Sequence, residues 1–266
     1  MSSASTTSNF ELLLTFLRGE SRIPDAIQWS MSIRRKTKAI GMLYKDVLNQ
    51  IPECFRELAE IKERGFGYDI ESLKLALRYE VFLNSIYSLC ENLSRIVFQL
   101  YREKNLPRDF HDQKSRFLEQ EIDPEYASIL KNTNWYDEVR SMRAEATHFL
   151  SGFIVFPSST ELGYLNVPQS EKKNTPENIS IGDIEKHVKK LYGDVNAFLF
   201  AFGNHFIKII NQDTPIPLVC LASSGLLGAK SISLREFLNK ESGVCITPNF
   251  NCPEKDTCQA RIKHKE

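Results

Sequence analysis

Several catalytic signatures are absent from this sequence. It has no Walker-type phosphate loop, no G-x-G-x-x-G after a strand, no H-E-x-x-H and no G-x-S-x-G. Nucleotide hydrolysis on a P-loop, dinucleotide redox chemistry, zincin proteolysis and serine hydrolysis therefore get no support. Net charge is missing too: 34 basic side chains balance 34 acidic ones. No global field draws the chain to nucleic acid or to an acidic membrane, so any such binding must come from a local patch. No apolar run approaches the ~20 residues that span a bilayer. Met1 to Asn9 is polar and uncharged, without the basic segment and apolar core of a secretory signal. A cytoplasmic protein with no membrane partner is the expectation. Its six cysteines then read as thiols rather than a disulfide framework. Cys54, Cys90 and Cys220 sit in apolar or amphipathic surroundings and read as small core residues. No internal repeat or low-complexity tract interrupts the chain.

What is present is helical periodicity in a chain of 266 residues with 42% apolar content, enough to bury a substantial core. Asn9 to Arg18 predicts a short helix ended by Gly19. From Pro24 to about Gly65 apolar residues recur at three- and four-residue steps, with Pro52 set to kink or split the helix. A second long helix is expected from Asp69, as N-cap, to about Lys104, with Leu73, Leu77, Val81, Phe82, Ile86, Leu89 and Leu93 on its apolar face. Shorter helices follow near 111–121 and 124–130. Asn134 then caps a helix running to about Phe149, with Asp137 in the capping-box position. Phe153–Phe156 and Leu162–Val167 are β-like and predict a hairpin at about 152–167. A polar loop leads to Ser180, the expected cap of a last long helix ending near Asn211. The expectation is an all-α, up-down helical bundle over 9–211 with a small β-hairpin insertion. An irregular C-terminal appendage or tail fills 212–266 and contains one short helix near 233–240.

Arg143 and His148, with Arg140 one turn earlier, form the constellation with the most chemistry. Arginine offers a permanent, planar donor fork for phosphate oxygens, and histidine exchanges protons near neutral pH. Together they suffice for metal-free RNA cleavage, one moving a proton and the other stabilising charge on the phosphorane. On an ideal helix, however, Arg143 and His148 are about 140° apart and Arg140 and His148 about 80° apart. They converge only if the helix unwinds near Thr147 or a second subunit completes the site. The competing reading is an exposed arginine and a histidine complementing the helix C-terminus.

The pattern Arg143-x4-His148 on a late helix of a bundle resembles the HEPN superfamily, over roughly residues 24–211. The resemblance implies a ribonuclease, often a toxin of a toxin–antitoxin pair or part of phage defence or stress responses, that works as a homodimer with two motifs lining one cleft. Arg143 would then hold the scissile phosphate and His148 would transfer the proton. RNA would be the substrate, an antitoxin a further partner, and the bundle would need no cofactor. Ala144 stands where the family usually carries a polar residue, and Leu150 stands where a tyrosine would follow the histidine. The Ala144 departure favours the alternative, a non-catalytic helical interaction module.

Two further clusters offer ligand chemistry. Cys245, Cys252, Cys258 and His264 make up a tetrahedral zinc set and resemble CCCH RNA-binding fingers, although they lack a CxxC pair; the other reading is incidental thiols in a tail. Arg34 and Arg35 open the basic run Arg34–Lys38, a patch for RNA backbone or simply a solvated face. His187 and His205 read as satisfied core histidines, and Glu80 and Glu91 as solvent-exposed.

Overall fold

The computed structural model describes residues 8–148, 152–166, 179–221, 227–246 and 258–260. The chain divides into two compact units, one formed by Ser32–Ala201 and the other by Met1–Met31 with Phe202–Glu266. The described residues are mostly helical with small antiparallel strand sets, an all-α bundle with a small β insertion. No described helix is long and apolar enough to cross a membrane.

In the larger unit, α2 (Ala26–Arg64) and α3 (Ile70–Leu100) run antiparallel. Polar ties set their register: Asn92 donates to Ser32 (3.2 Å), Lys36 to Ser88 (2.6 Å) and Gln50 to Glu71 (2.6 Å). Pro52 lies inside α2, which is not split there. Asp69 occupies the N-cap position of α3 without a side-chain hydrogen bond. That role passes to Glu57 of α2, whose carboxylate accepts from the Glu71 and Ser72 backbone N–H groups at 2.8 and 3.1 Å. A carboxylate here also complements the positive end of the helix.

The buried face of α3 is Leu75, Ala76, Tyr79, Phe82, Leu83, Ile86, Leu89, Cys90 and Leu93. Leu73, Leu77 and Val81, expected in the core, are exposed at 54%, 46% and 51%. The N-terminal half of α3 is apolar on two faces, and only one meets the rest of the unit. Helices α4 (Phe110–Glu119), α5 (Pro124–Lys131) and α6 (Asn134–His148) follow, and α3 packs against α4 and α6. Aromatic contacts bind this layer to α7 (Ile184–Phe206): Phe110 meets Tyr136 at 4.5 Å and Phe198 at 5.8 Å, and Trp135 meets Phe198 at 6.0 Å.

Strands β1 (Phe153–Val155) and β2 (Gly163–Asn166) form the expected hairpin, with Ile154 opposite Tyr164. A third strand was not anticipated. β3 (Ile179–Ile181) pairs antiparallel with β2, so Ser180 lies in a strand instead of capping α7. Asp183 does that work, accepting from the Lys186 N–H at 2.9 Å.

In the smaller unit, α1 (Asn9–Phe16) is capped by Ser8, whose hydroxyl accepts from the Glu11 N–H. Its Phe10 packs edge-on against Phe202. The Glu20 carboxylate, 3% exposed, accepts from Arg22 and from the Asn211 backbone N–H. The region expected to be irregular contains a three-stranded antiparallel sheet: β4 (Ile216–Leu221), β5 (Leu227–Ile232) and β6 (Val244–Cys245), in that order. Helix α8 (Leu234–Leu238) starts with a reciprocal capping box between Ser233 and Glu236. Cys220, expected in the core, is partly exposed on the edge strand β4.

Candidate functional site

Helix α6 is continuous from Asn134 to His148, so it does not unwind near Thr147. Its inward positions Trp135, Tyr136, Val139 and Met142 are buried, which fixes where the flanking arginines point. Arg143 lies at the edge of that face, with its guanidinium carbon 4.8 Å from the Tyr87 ring centroid. Its Nε is buried without a hydrogen-bond partner. Arg140, one turn earlier, is exposed. The His148 side chain lies outside the described residues, as do Cys252 and His264.

The support beneath Arg143 comes from α3. Tyr87 lies parallel to Tyr136 (ring centroids 6.0 Å apart, planes 12° apart), and the Tyr136 hydroxyl donates to Glu91 at 2.9 Å. Glu91 also accepts from the Phe110 N–H at 3.4 Å. It is thus a structural anchor rather than a solvated residue, because the acceptor of a buried phenol cannot be left without cost. Burial, followed by the Glu91 charge, raises the Tyr87 phenol above its ordinary value, while Arg143 and Arg140 pull it down. Arg143 contacts the ring directly, and Arg140 is an exposed cation one turn away. Together they present two permanent cations around an aromatic surface, a combination suited to phosphate and base contacts.

A second polar chain lies further along α3. His187 of α7 meets the Tyr79 hydroxyl through Nδ1 (2.9 Å) and Glu138 of α6 through Nε2 (3.3 Å). Burial lowers the His187 pKa, against an upward pull from Glu138. Burial likewise raises Tyr79 well above the usual phenol value. This carboxylate–imidazole–phenol order is that of a nucleophile and its base, but Tyr79 is fully buried, so no substrate reaches it. The chain ties three helices together. Glu80, expected to be exposed, also has a structural role: it accepts from the Tyr164 hydroxyl and from the Gly152 N–H, both at 2.8 Å.

Arg34 and Arg35 lie on α2, the first partly buried and the second exposed. Cys245 is on β6, paired across the sheet with Lys230, and Cys258 is partly exposed. Among the described residues no three His, Cys, Asp or Glu side chains are grouped to hold a metal ion. Glu91 is read from sequence as solvent-exposed, and Tyr87 and Tyr136 carry no sequence signal of their own. They are spread over two helices, and no local pattern marks them. No protein-family model matches the chain, and neither a curated protein nor a solved structure shows significant similarity to it.

Proposed function

We propose that this protein is a metal-independent endoribonuclease of the HEPN type, whose site pairs Arg143 of one copy with His148 of a second. Its biological setting would be toxin, phage-defence or stress activity. The reading is carried by Arg143 seated on Tyr87, with Arg140 exposed one turn earlier, on a helix that stays intact through His148. With the helix unbroken, a cation reaches His148 most directly from another molecule, since Arg143 in the same chain is about 140° round the axis. In the reaction the RNA 2′-hydroxyl loses its proton and attacks the adjacent phosphorus, and the P–O5′ bond breaks. A proton passes to the departing 5′-oxygen, leaving a 2′,3′-cyclic phosphate and a 5′-hydroxyl. His148 moves protons, Arg143 steadies the phosphorane charge, and Arg140 holds a neighbouring phosphate.

The test is incubation with RNA in EDTA. Cleavage by wild type that is lost in His148→Ala and Arg143→Ala is the expected outcome; equal cleavage by all three discards the site.

A second reading, a non-catalytic interaction module, is favoured by a different observation. Ile70, Leu73, Leu77 and Val81 line one exposed face of α3, beside Phe66 and Tyr68 at 78% and 84% exposure. Contiguous apolar surface of that kind marks protein contact. Absence of cleavage by any form, with a bound partner, would select it.

A further inference from the structure

We propose that the face of α2 around Gly41, with the facing turn of α7, is a docking strip for single-stranded RNA. This rests on the RNA-binding part of the proposed function and places the strand on α2 and α7 rather than on α6.

The strip follows from helix geometry. Arg34, Lys38, Gly41 and Lys45 are spaced by four, three and four residues along the continuous helix α2. At about 100° per residue they fall within about 60° of one another. Lys36, in the same basic run, points elsewhere and donates to Ser88 of α3 at 2.6 Å. The run is therefore a sorted row and not a uniformly solvated segment. Lys38 and Lys45 are exposed, and neither is paired among the described residues.

Beside the row, Tyr44 and Tyr192 stack across the two helices, with centroids 4.1 Å apart and planes 11° apart. Both rings are partly exposed. Gly41 has no side chain to obstruct them, and a β-carbon there would stand 3.5 Å from the Tyr192 hydroxyl. Lys189, one turn before Tyr192, borders the pair; its charge is partly offset by an ion pair with Glu185. Lys38 and Lys45 are ~10 Å apart along the axis, leaving room for a base between two backbone contacts.

Cations flanking a paired aromatic surface are the usual ingredients of single-strand recognition, in which each unpaired base can offer a ring face. A duplex hides those faces, and an acidic peptide would use the cations alone. The ligand that uses both features is single-stranded RNA: its phosphates lie on Lys38 and Lys45, and a base stacks on the tyrosine pair.

The experiment measures binding of a fluorescent 2′-O-methyl RNA oligonucleotide, whose blocked 2′-oxygen prevents cleavage, across a salt series. The double variant Lys38→Gln/Lys45→Gln should bind more weakly, its log K against log salt slope shallower by about 1.4, at ~0.7 per phosphate contact. Tyr192→Leu should weaken binding about fivefold or more with an unchanged slope, and Tyr192→Phe should bind like wild type. Any of three results overturns the strip: no wild-type binding at low salt, wild-type affinity and slope in the lysine and leucine variants, or equal competition by duplex RNA or polyglutamate. Two outcomes separate the strip from the nuclease reading. Strip-dependent binding with cleavable RNA left intact by every form sinks the nuclease and keeps the strip. His148-dependent cleavage with strip variants that bind like wild type does the reverse.

Discussion

Replacing His187 with leucine removes the imidazole that joins α3 and α6 to α7. The Tyr79 hydroxyl, in a residue with no exposed surface, then loses its 2.9 Å partner. It keeps only a 3.7 Å contact with the Met142 sulfur, a weak acceptor. A stranded buried hydroxyl costs about 1–3 kcal/mol, which for a unit of this size lowers Tm by roughly 2–12 °C. The double variant Tyr79→Phe/His187→Leu strands nothing, so it should cost less than the sum of the two single changes. The pair also has a pH signature. Burial holds the folded His187 below its ordinary value of 6.5, so the unfolded chain binds more protons in the window just below that value. Stability therefore rises with pH there: the contribution is fully present above 6.5 and is lost as pH falls toward the folded value. Its slope is at most about 1.4 kcal/mol per pH unit. Thermal unfolding from pH 8 to 5, wild type beside His187→Gln, reads this directly. Equal slopes in the two proteins, or a wild type that gains stability toward pH 5, would refute the reasoning.

The other predictions concern the smaller unit and the tail. Glu20→Ala removes the acceptor of the Asn211 N–H and one acceptor of Arg22, which is exposed and also donates to the Ile209 carbonyl, and should cost about 1–3 kcal/mol in denaturant unfolding. Burial pushes the Glu20 carboxyl up, but these donors outweigh it and its pKa is lowered overall. Its contribution is therefore present above 4.5 and fades as pH falls below it, a dependence that Glu20→Gln should lack. Gly203→Ala should destabilise by about 1–3 kcal/mol despite its better helix propensity, because the new methyl would lie 2.5 Å from the Phe10 backbone; unchanged unfolding would show that α1 can shift. For the tail, the Cys245, Cys252, Cys258 and His264 set requires one zinc per chain in freshly purified protein, and metal-free protein removes the set.

Most helices were legible because their apolar periodicity is also what buries them. The exceptions have physical causes. Leu73, Leu77 and Val81 hold a helical stripe as regular as the buried one, and periodicity alone cannot say which face finds a partner. Proline is disfavoured inside a sheet, yet Pro217 sits in β4 because that is an edge strand, where a missing N–H is tolerated. Ser180 has the chemistry of a cap, but pairing of Ile179 and Ile181 with β2 draws it into a strand. Glu57 replaces Asp69 at the head of α3 because the α2–α3 hairpin brings it there. At the candidate site, the arginines and the histidine were legible as residue types, whereas their seating on Tyr87, Tyr136 and Glu91 depends on how α3 and α6 pack.

Subunit complementation tests the composite site most directly. His148→Ala and Arg143→Ala are each inactive on this account, but a mixed dimer keeps one site with an intact arginine from one copy and an intact histidine from the other. After equimolar mixing and subunit exchange, RNA cleavage in EDTA should recover to about a quarter of wild type, since half the dimers are mixed and each has one of its two sites whole. Two inactive variants that stay inactive when mixed, although they demonstrably exchange subunits, would contradict the shared site.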